Sequence, residues 1–344
     1  MKKQKKGVGW MKSGVLVLIV FLCQAVGYAE ERQLVPVGQT VGVTLDMKGV
    51  TVVDTTDVEG YDGKKSAPAR DAGLVSGDII EEMNGRAVAS AREFEEAIKE
   101  QEGKTVTLLV RHGEEMRESS LTPALSNADG QYRIGVWIKD AASGIGTVTY
   151  YDPKTREFGA LGHGIADDVQ GEPVRVKCGE ILNAQIVSVQ KGGRGQPGEL
   201  VGVFCENREK LGTVVSNTET GLKGVLDDGA AFDTATDAIP VARRDEVQEG
   251  AAEILANVEE GKIETFSVEI QKINKDEKNP KGLVIKVTDP RLLDRTGGIV
   301  QGMSGSPLIQ NGRLAGAVTH VFVSDPTRGY GILMETMLAE ENRD

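Results

Sequence analysis

A chain of 344 residues with 39% hydrophobic and 27% charged side chains has the composition of a soluble globular protein of about two domains. Its net charge of −12 provides no basic footprint for nucleic acid. The 43 glycines, scattered among short apolar runs, point to a mainly β fold with many turns rather than to a linker. Cys23, Cys178 and Cys205 form an odd set without metal-ligand spacing. Cys178 and Cys205 make the only possible bridge, and both are expected as buried thiols.

Residues 1–30 read as a targeting segment. Lys2, Lys3, Lys5, Lys6 and Lys12 precede the apolar run from Gly14 to Val26, the order of a secretory signal. The run is short for a spanning helix, which needs about 20 residues. Removal after Gly27-Tyr28-Ala29 and retention as an anchor both fit. Either way the remainder is expected outside the cytoplasmic face.

Residues 34–125 are expected to form an α+β module. Val41–Leu45 and Val50–Val53 read as strands around the turn Asp46-Met47-Lys48-Gly49. Pro68 opens a short helix that Gly73 closes. Ser90 caps a second helix, Ala91–Gln101, with Phe94, Ala97 and Ile98 on one face. Val106–Arg111 and Met116–Leu121 pair around a turn containing His112. This order, with Ala72-Gly73-Leu74, Gly77-Asp78-Ile79-Ile80 and Asn84-Gly85, resembles a PDZ domain of the bacterial protease type. The resemblance implies that a peptide C-terminus or internal segment adds as a strand beside the second helix. It implies that Val41-Gly42-Val43 is the carboxylate-binding loop.

Ser126–Gly130 is a polar break. From residue 131 to 344 short strand-like runs recur, among them Gly146–Tyr151, Ile181–Val189, Phe266–Ile273, Leu283–Val287 and Gly316–Val323. Their spacing suggests a closed or sandwiched antiparallel β architecture.

The chemistry centres on Gly302-Met303-Ser304-Gly305-Ser306-Pro307. A serine hydroxyl needs a base and donors aimed at the oxyanion it creates. The flanking glycines allow a tight turn, in which the N–H groups of Gly302 and Ser304 can face one carbonyl oxygen. The motif resembles the Gly-Asp-Ser-Gly-Gly-Pro of trypsin-like serine peptidases. Of three histidines, His163 is glycine-flanked after the apolar Phe158–Leu161 and fits a strand end at a cleft. His112 reads as a turn residue and His320 as a structural or cleft-wall position in a strand. Asp289, before Pro290 at a strand end, is a candidate to orient the imidazole, and spacing does not choose among the carboxylates. Asp228, Asp233 and Asp237 compete with it.

Leu161-Gly162-His163-Gly164, Val287-Thr288-Asp289-Pro290, the serine motif and the tail Thr319–Pro326 together resemble the stage IV sporulation protein B family across the whole chain. That family consists of PDZ-bearing serine peptidases of endospore-forming bacteria. The resemblance implies a catalytic triad of His163, Asp289 and Ser304, no metal and no organic cofactor. It implies export across the forespore inner membrane, self-cleavage, and cleavage of a membrane protein that restrains an intramembrane metalloprotease. Processing of a mother-cell sigma factor would follow.

Overall fold

Two closed antiparallel barrels and an inserted PDZ module account for the body of the molecule from Gln33 onward. The structure, a computed structural model, describes residues 31–166, 173–204, 209–259, 261–274, 276 and 279–339. The targeting segment expected at residues 1–30, with Cys23, lies outside these residues, as does Cys205.

The first barrel follows from the pairings of six strands. The first half of Thr40–Thr55 pairs with Val176–Gln190, which pairs with Lys210–Thr218, then Gly221–Leu226 and Glu157–Ala160. Val136–Tyr151 joins that last strand and returns to Thr40–Thr55, closing the ring. Its interior holds Val41, Val43, Leu45, Val148, Phe158, Ile181, Val214 and Leu222, all buried. The second barrel runs Gly250–Glu259, Lys262–Ile273, Leu283–Val287, Asp325–Leu333, Arg313–Phe322 and Pro307–Gln310 before closing on itself. Alternation of apolar and polar residues places Ile254, Phe266, Val268, Ile270 and Ile285 inside it.

The PDZ module has its own core of Val50, Val52, Leu74, Ile80, Phe94, Ile98, Leu108 and Val110. The helix Ala91–Glu100 buries Phe94 and Ile98, and the Ser90 side chain accepts from the Glu93 N–H at 3.2 Å. Pro68–Asp71 is the short helix expected from Pro68. His112 does more than occupy a turn: its Nδ1 lies 2.9 Å from Asp78, a fully buried carboxylate also bound by Arg117.

Two expectations are corrected here. Asp46–Gly49 is not a turn, because Thr40–Thr55 is one continuous strand of 16 residues. Gly49 sits at φ +81° and bends the strand instead of reversing it. The stretch before Gly49 is a stave of the first barrel, and the part beyond it enters the core of the inserted module. Cys178 is exposed rather than buried, and its thiol donates to Asp46 at 3.1 Å. That bond, with desolvation behind it, holds the thiol above its ordinary pKa.

A Cβ at Gly49 would meet the Ile80 carbonyl oxygen at 2.5 Å, in a backbone conformation that costs other residues roughly 1–2 kcal/mol. Gly49→Val is expected to lower the unfolding free energy by at least that amount, read as a fall in the urea midpoint. A wild-type midpoint in the variant would mean that the strand does not bend there.

Candidate active site

Two loops and the strand Arg313–Phe322 converge on one cavity of about 370 Å³, which Ser304, Gly302, His163, Thr319 and His320 help to line. The histidine loop leaves Glu157–Ala160 through Leu161 and Gly162, both in left-handed backbone geometry. Asn217 clamps this loop: its amide donates to the carbonyls of Ile165 and Val174 at 2.8 and 2.9 Å, and its oxygen accepts from the Ile165 N–H at 2.9 Å. The serine loop is held by Gly305, whose N–H donates to the Val318 carbonyl at 2.8 Å. Gly305 has φ +98°, and a Cβ there would lie 2.0 Å from the Thr147 carbonyl oxygen. Only glycine fits.

Thr147 joins the two loops. Its N–H donates to the Ser304 carbonyl at 3.0 Å and its hydroxyl to the Gly302 carbonyl at 2.7 Å. Its own carbonyl accepts from the Leu161 N–H at 3.1 Å. The buried Thr147 thus fixes the 302–303 and 304–305 peptides and the start of the histidine loop. Among the described residues, the N–H groups of Gly302 and Ser304 donate to no protein acceptor, which leaves them available to an oxyanion.

His163 is half-buried, with Nδ1 2.9 Å from the Gly164 carbonyl oxygen. A carbonyl only accepts, so Nδ1 carries the proton and Nε2 keeps its lone pair. Burial lowers the His163 pKa, the bond to Gly164 opposes this, and Lys281 adds to the lowering. The ring is therefore neutral at pH 7. His320 packs on it, ring centroids 4.4 Å apart. Its pKa is likewise lowered, by partial burial first and then by His163 and Lys281. The Ser304 hydroxyl donates to the Thr319 carbonyl at 2.5 Å.

The structure brings Ser304, Gly302 and His163 together but does not bring Asp289 to them. Asp289 is the N-cap of the helix Pro290–Thr296. Its oxygens accept from the Arg291 N–H, the Arg291 guanidinium and the Ser267 N–H. The Arg291 hydrogen bonds hold its pKa at about 2, against the opposing effect of burial. With its lone pairs so engaged, Asp289 stabilises a helix start, and the Gly164 carbonyl orients the imidazole. Asp228, Asp233 and Asp237 do not line the cavity either.

Val41-Gly42-Val43 is likewise not a peptide-binding loop. Its residues pair with Gly144–Gly146 on one side and Ile181–Asn183 on the other, in the buried interior of the first barrel. No edge is left there for strand addition. Such an edge exists at Val136–Lys139, whose described pairing is to Thr51–Thr55 alone. A groove of about 590 Å³ separates it from the helix Ala91–Glu100, lined by Phe94, Ile98, Ile134 and Val136. Ile134-Gly135-Val136, with Gly135 at φ +73°, has the apolar-Gly-apolar pattern expected of the loop.

A serine hydroxyl, a neutral imidazole and two uncommitted N–H donors, set between paired six-stranded barrels, define a serine endopeptidase. The sequence profile of the SpoIVB peptidase S55 family matches residues 130–338, more than half of the chain, and the chain belongs to that family. A PDZ profile matches residues 38–122. Serine protease HTRA1 of Xenopus tropicalis is 45% identical over 56 residues, 16% of this chain and 12% of its own length. The chain thus spans about an eighth of that relative. Among solved structures, the PDZ domain of the SdrC-like protein from Listeria monocytogenes is 28% identical, covering 26% of this chain and 87% of that one, with a TM-score of 0.22. An inactive serine-to-alanine mutant of Rv3671c from M. tuberculosis H37Rv is 14% identical, with 58% and 83% covered and a TM-score of 0.30. Human heparin binding protein is 13% identical, with 57% and 82% covered and a TM-score of 0.31.

Asp289→Asn retains a capping oxygen and is expected to keep most peptidase activity, whereas Asp289→Ala is expected to lose about 1 kcal/mol of stability. Because the folded-state pKa lies below the unfolded value, the carboxylate stabilises the fold above about pH 4. That contribution disappears as pH falls through about 2. Thermal melts and peptidase assays on both variants check this. A loss of activity in Asp289→Asn as deep as that of a nucleophile knockout would return Asp289 to the catalytic centre.

Proposed function

We propose that Ser304 is the nucleophile and His163 its general base, in a signalling peptidase of spore formation. The observation that carries the catalytic assignment is the shared cavity: the Ser304 hydroxyl, the neutral His163 and the N–H groups of Gly302 and Ser304 meet there. Attack requires the Ser304 hydroxyl to leave the Thr319 carbonyl and turn to Nε2 of His163. His163 then takes its proton as oxygen bonds to the scissile carbonyl carbon, and passes it to the leaving amine. The Gly302 and Ser304 N–H groups stabilise the oxyanion, a contribution of about 3–4 kcal/mol for one such donor. The Gly164 carbonyl keeps the imidazole in the reactive tautomer, and Asn217 keeps the loop in place.

Membership of the SpoIVB peptidase family and the basic, apolar N-terminal segment support the wider reading. In it the chain is exported across the forespore inner membrane and cleaves itself. It also cleaves a membrane regulator of an intramembrane metalloprotease, so that a mother-cell sigma factor is processed. Peptide segments of these substrates dock by strand addition at Val136–Lys139.

Ser304→Ala is expected to abolish self-cleavage, labelling by a fluorophosphonate and, in an endospore-forming host, loss of the intact membrane regulator. Labelling at Ser306, or continued self-cleavage by the purified variant, would overturn the nucleophile assignment. Because the His163 pKa is lowered, the acid limb of kcat/KM is expected below pH 6.5, the ordinary histidine value. A limb at or above that value would mean that another group is the base.

A further inference from the structure

The cavity holds more than the reacting groups. Val321 and Ile145, both partly exposed, line it, and Ile299 and Val300, each 1% exposed and packed in the core of the second barrel, back the lining on the side of the serine loop. Among the described residues that line it there is no aspartate, glutamate, lysine or arginine. Its two titratable side chains, His163 and His320, are those already described. Lys281 stands outside the lining, over the ring of Tyr330 at 5.3 Å.

The walls are fixed. The Ile299 N–H donates to the Pro326 carbonyl at 2.8 Å, and the Val300 carbonyl accepts from the Met303 N–H at 3.1 Å. Gly298 lies so close to Pro326 that a Cβ would meet its carbonyl oxygen at 2.1 Å, and one on Gly329 would meet Ile299 Cδ1 at 2.8 Å. The apolar surface beside the nucleophile is therefore held in place by backbone contacts.

A scissile carbonyl whose oxygen faces the Gly302 and Ser304 N–H groups places the side chain on its acyl side against the loop that supplies them. Resting on the assignment of Ser304 as nucleophile, we infer that Val321, backed by Ile299 and Val300, presents the apolar face of the subsite for that side chain. The subsite selects aliphatic residues, so that the enzyme cleaves after valine, leucine or isoleucine. An aliphatic group gains by leaving water for this surface. A guanidinium or carboxylate would be desolvated without a counter-ion in the lining.

The test uses the full chain and four peptidyl phosphonate esters that differ only in the side chain next to phosphorus: valine, leucine, arginine or aspartate. Mass mapping follows modification of Ser304. The valine and leucine probes are expected to react at least about tenfold faster than the other two, the discrimination a shaped apolar pocket provides. Val321→Asp, which places a carboxylate in the lining, is expected to shift the preference toward the arginine probe. Equal or faster reaction of the wild-type chain with the arginine or aspartate probe overturns the subsite. So does reaction with a small fluorophosphonate but with neither aliphatic probe, and that outcome leaves the nucleophile assignment standing. Failure of the fluorophosphonate to label Ser304 overturns the nucleophile assignment, and the subsite falls with it.

Discussion

The catalytic geometry depends on one buried threonine. Thr147 holds the carbonyls of Gly302 and Ser304 and accepts from Leu161, so it ties the serine loop of one barrel to the histidine loop of the other. Each bond has a net worth of about 1 kcal/mol, but leaving one of these buried carbonyls unpaired would cost about 1–3 kcal/mol. Their arrangement matters more than their sum. Thr147 pins the 302–303 and 304–305 peptides, so the peptide between them, which carries the Ser304 N–H, is held from both ends.

Around that pin, the proposed base stands ready and the proposed nucleophile is engaged elsewhere. Gly164 already selects the imidazole tautomer, and the ring of His320 shields one face of His163. The Ser304 hydroxyl, by contrast, is hydrogen-bonded to Thr319, the residue before His320. The strand pairing of Arg313–Phe322 with Asp325–Leu333 shifts register between Val318 and Val321. This irregularity presents both the Thr319 carbonyl and the His320 ring to the cleft.

Much of this was legible in the sequence, and what was not has physical causes. Ser304 and His163 stand out because glycines flank them, and tight turns need glycine wherever they occur. Asp289 was ambiguous because Asp-Pro ends a strand and also starts a helix, and the two signals are identical locally. The peptide-binding loop was ambiguous for a similar reason: Val41-Gly42-Val43 and Ile134-Gly135-Val136 share a pattern. Only pairing on both sides excludes the first. Thr147 and Asn217 carried no local signal. Thr147 bonds Gly302, 155 positions away, and Asn217 reaches Ile165 across 52.

The shared strands Thr40–Thr55 and Val136–Tyr151 have a consequence for how the two modules may be separated. Each strand serves both, so excising residues 34–125 as if they were an appendage would pull a stave from the first barrel and breach the wall behind His163. Such a truncation would report on a collapsed enzyme rather than on the loss of peptide docking. A clean separation has to cut at the bend of Gly49 and rejoin the chain after Lys139, leaving both staves in place.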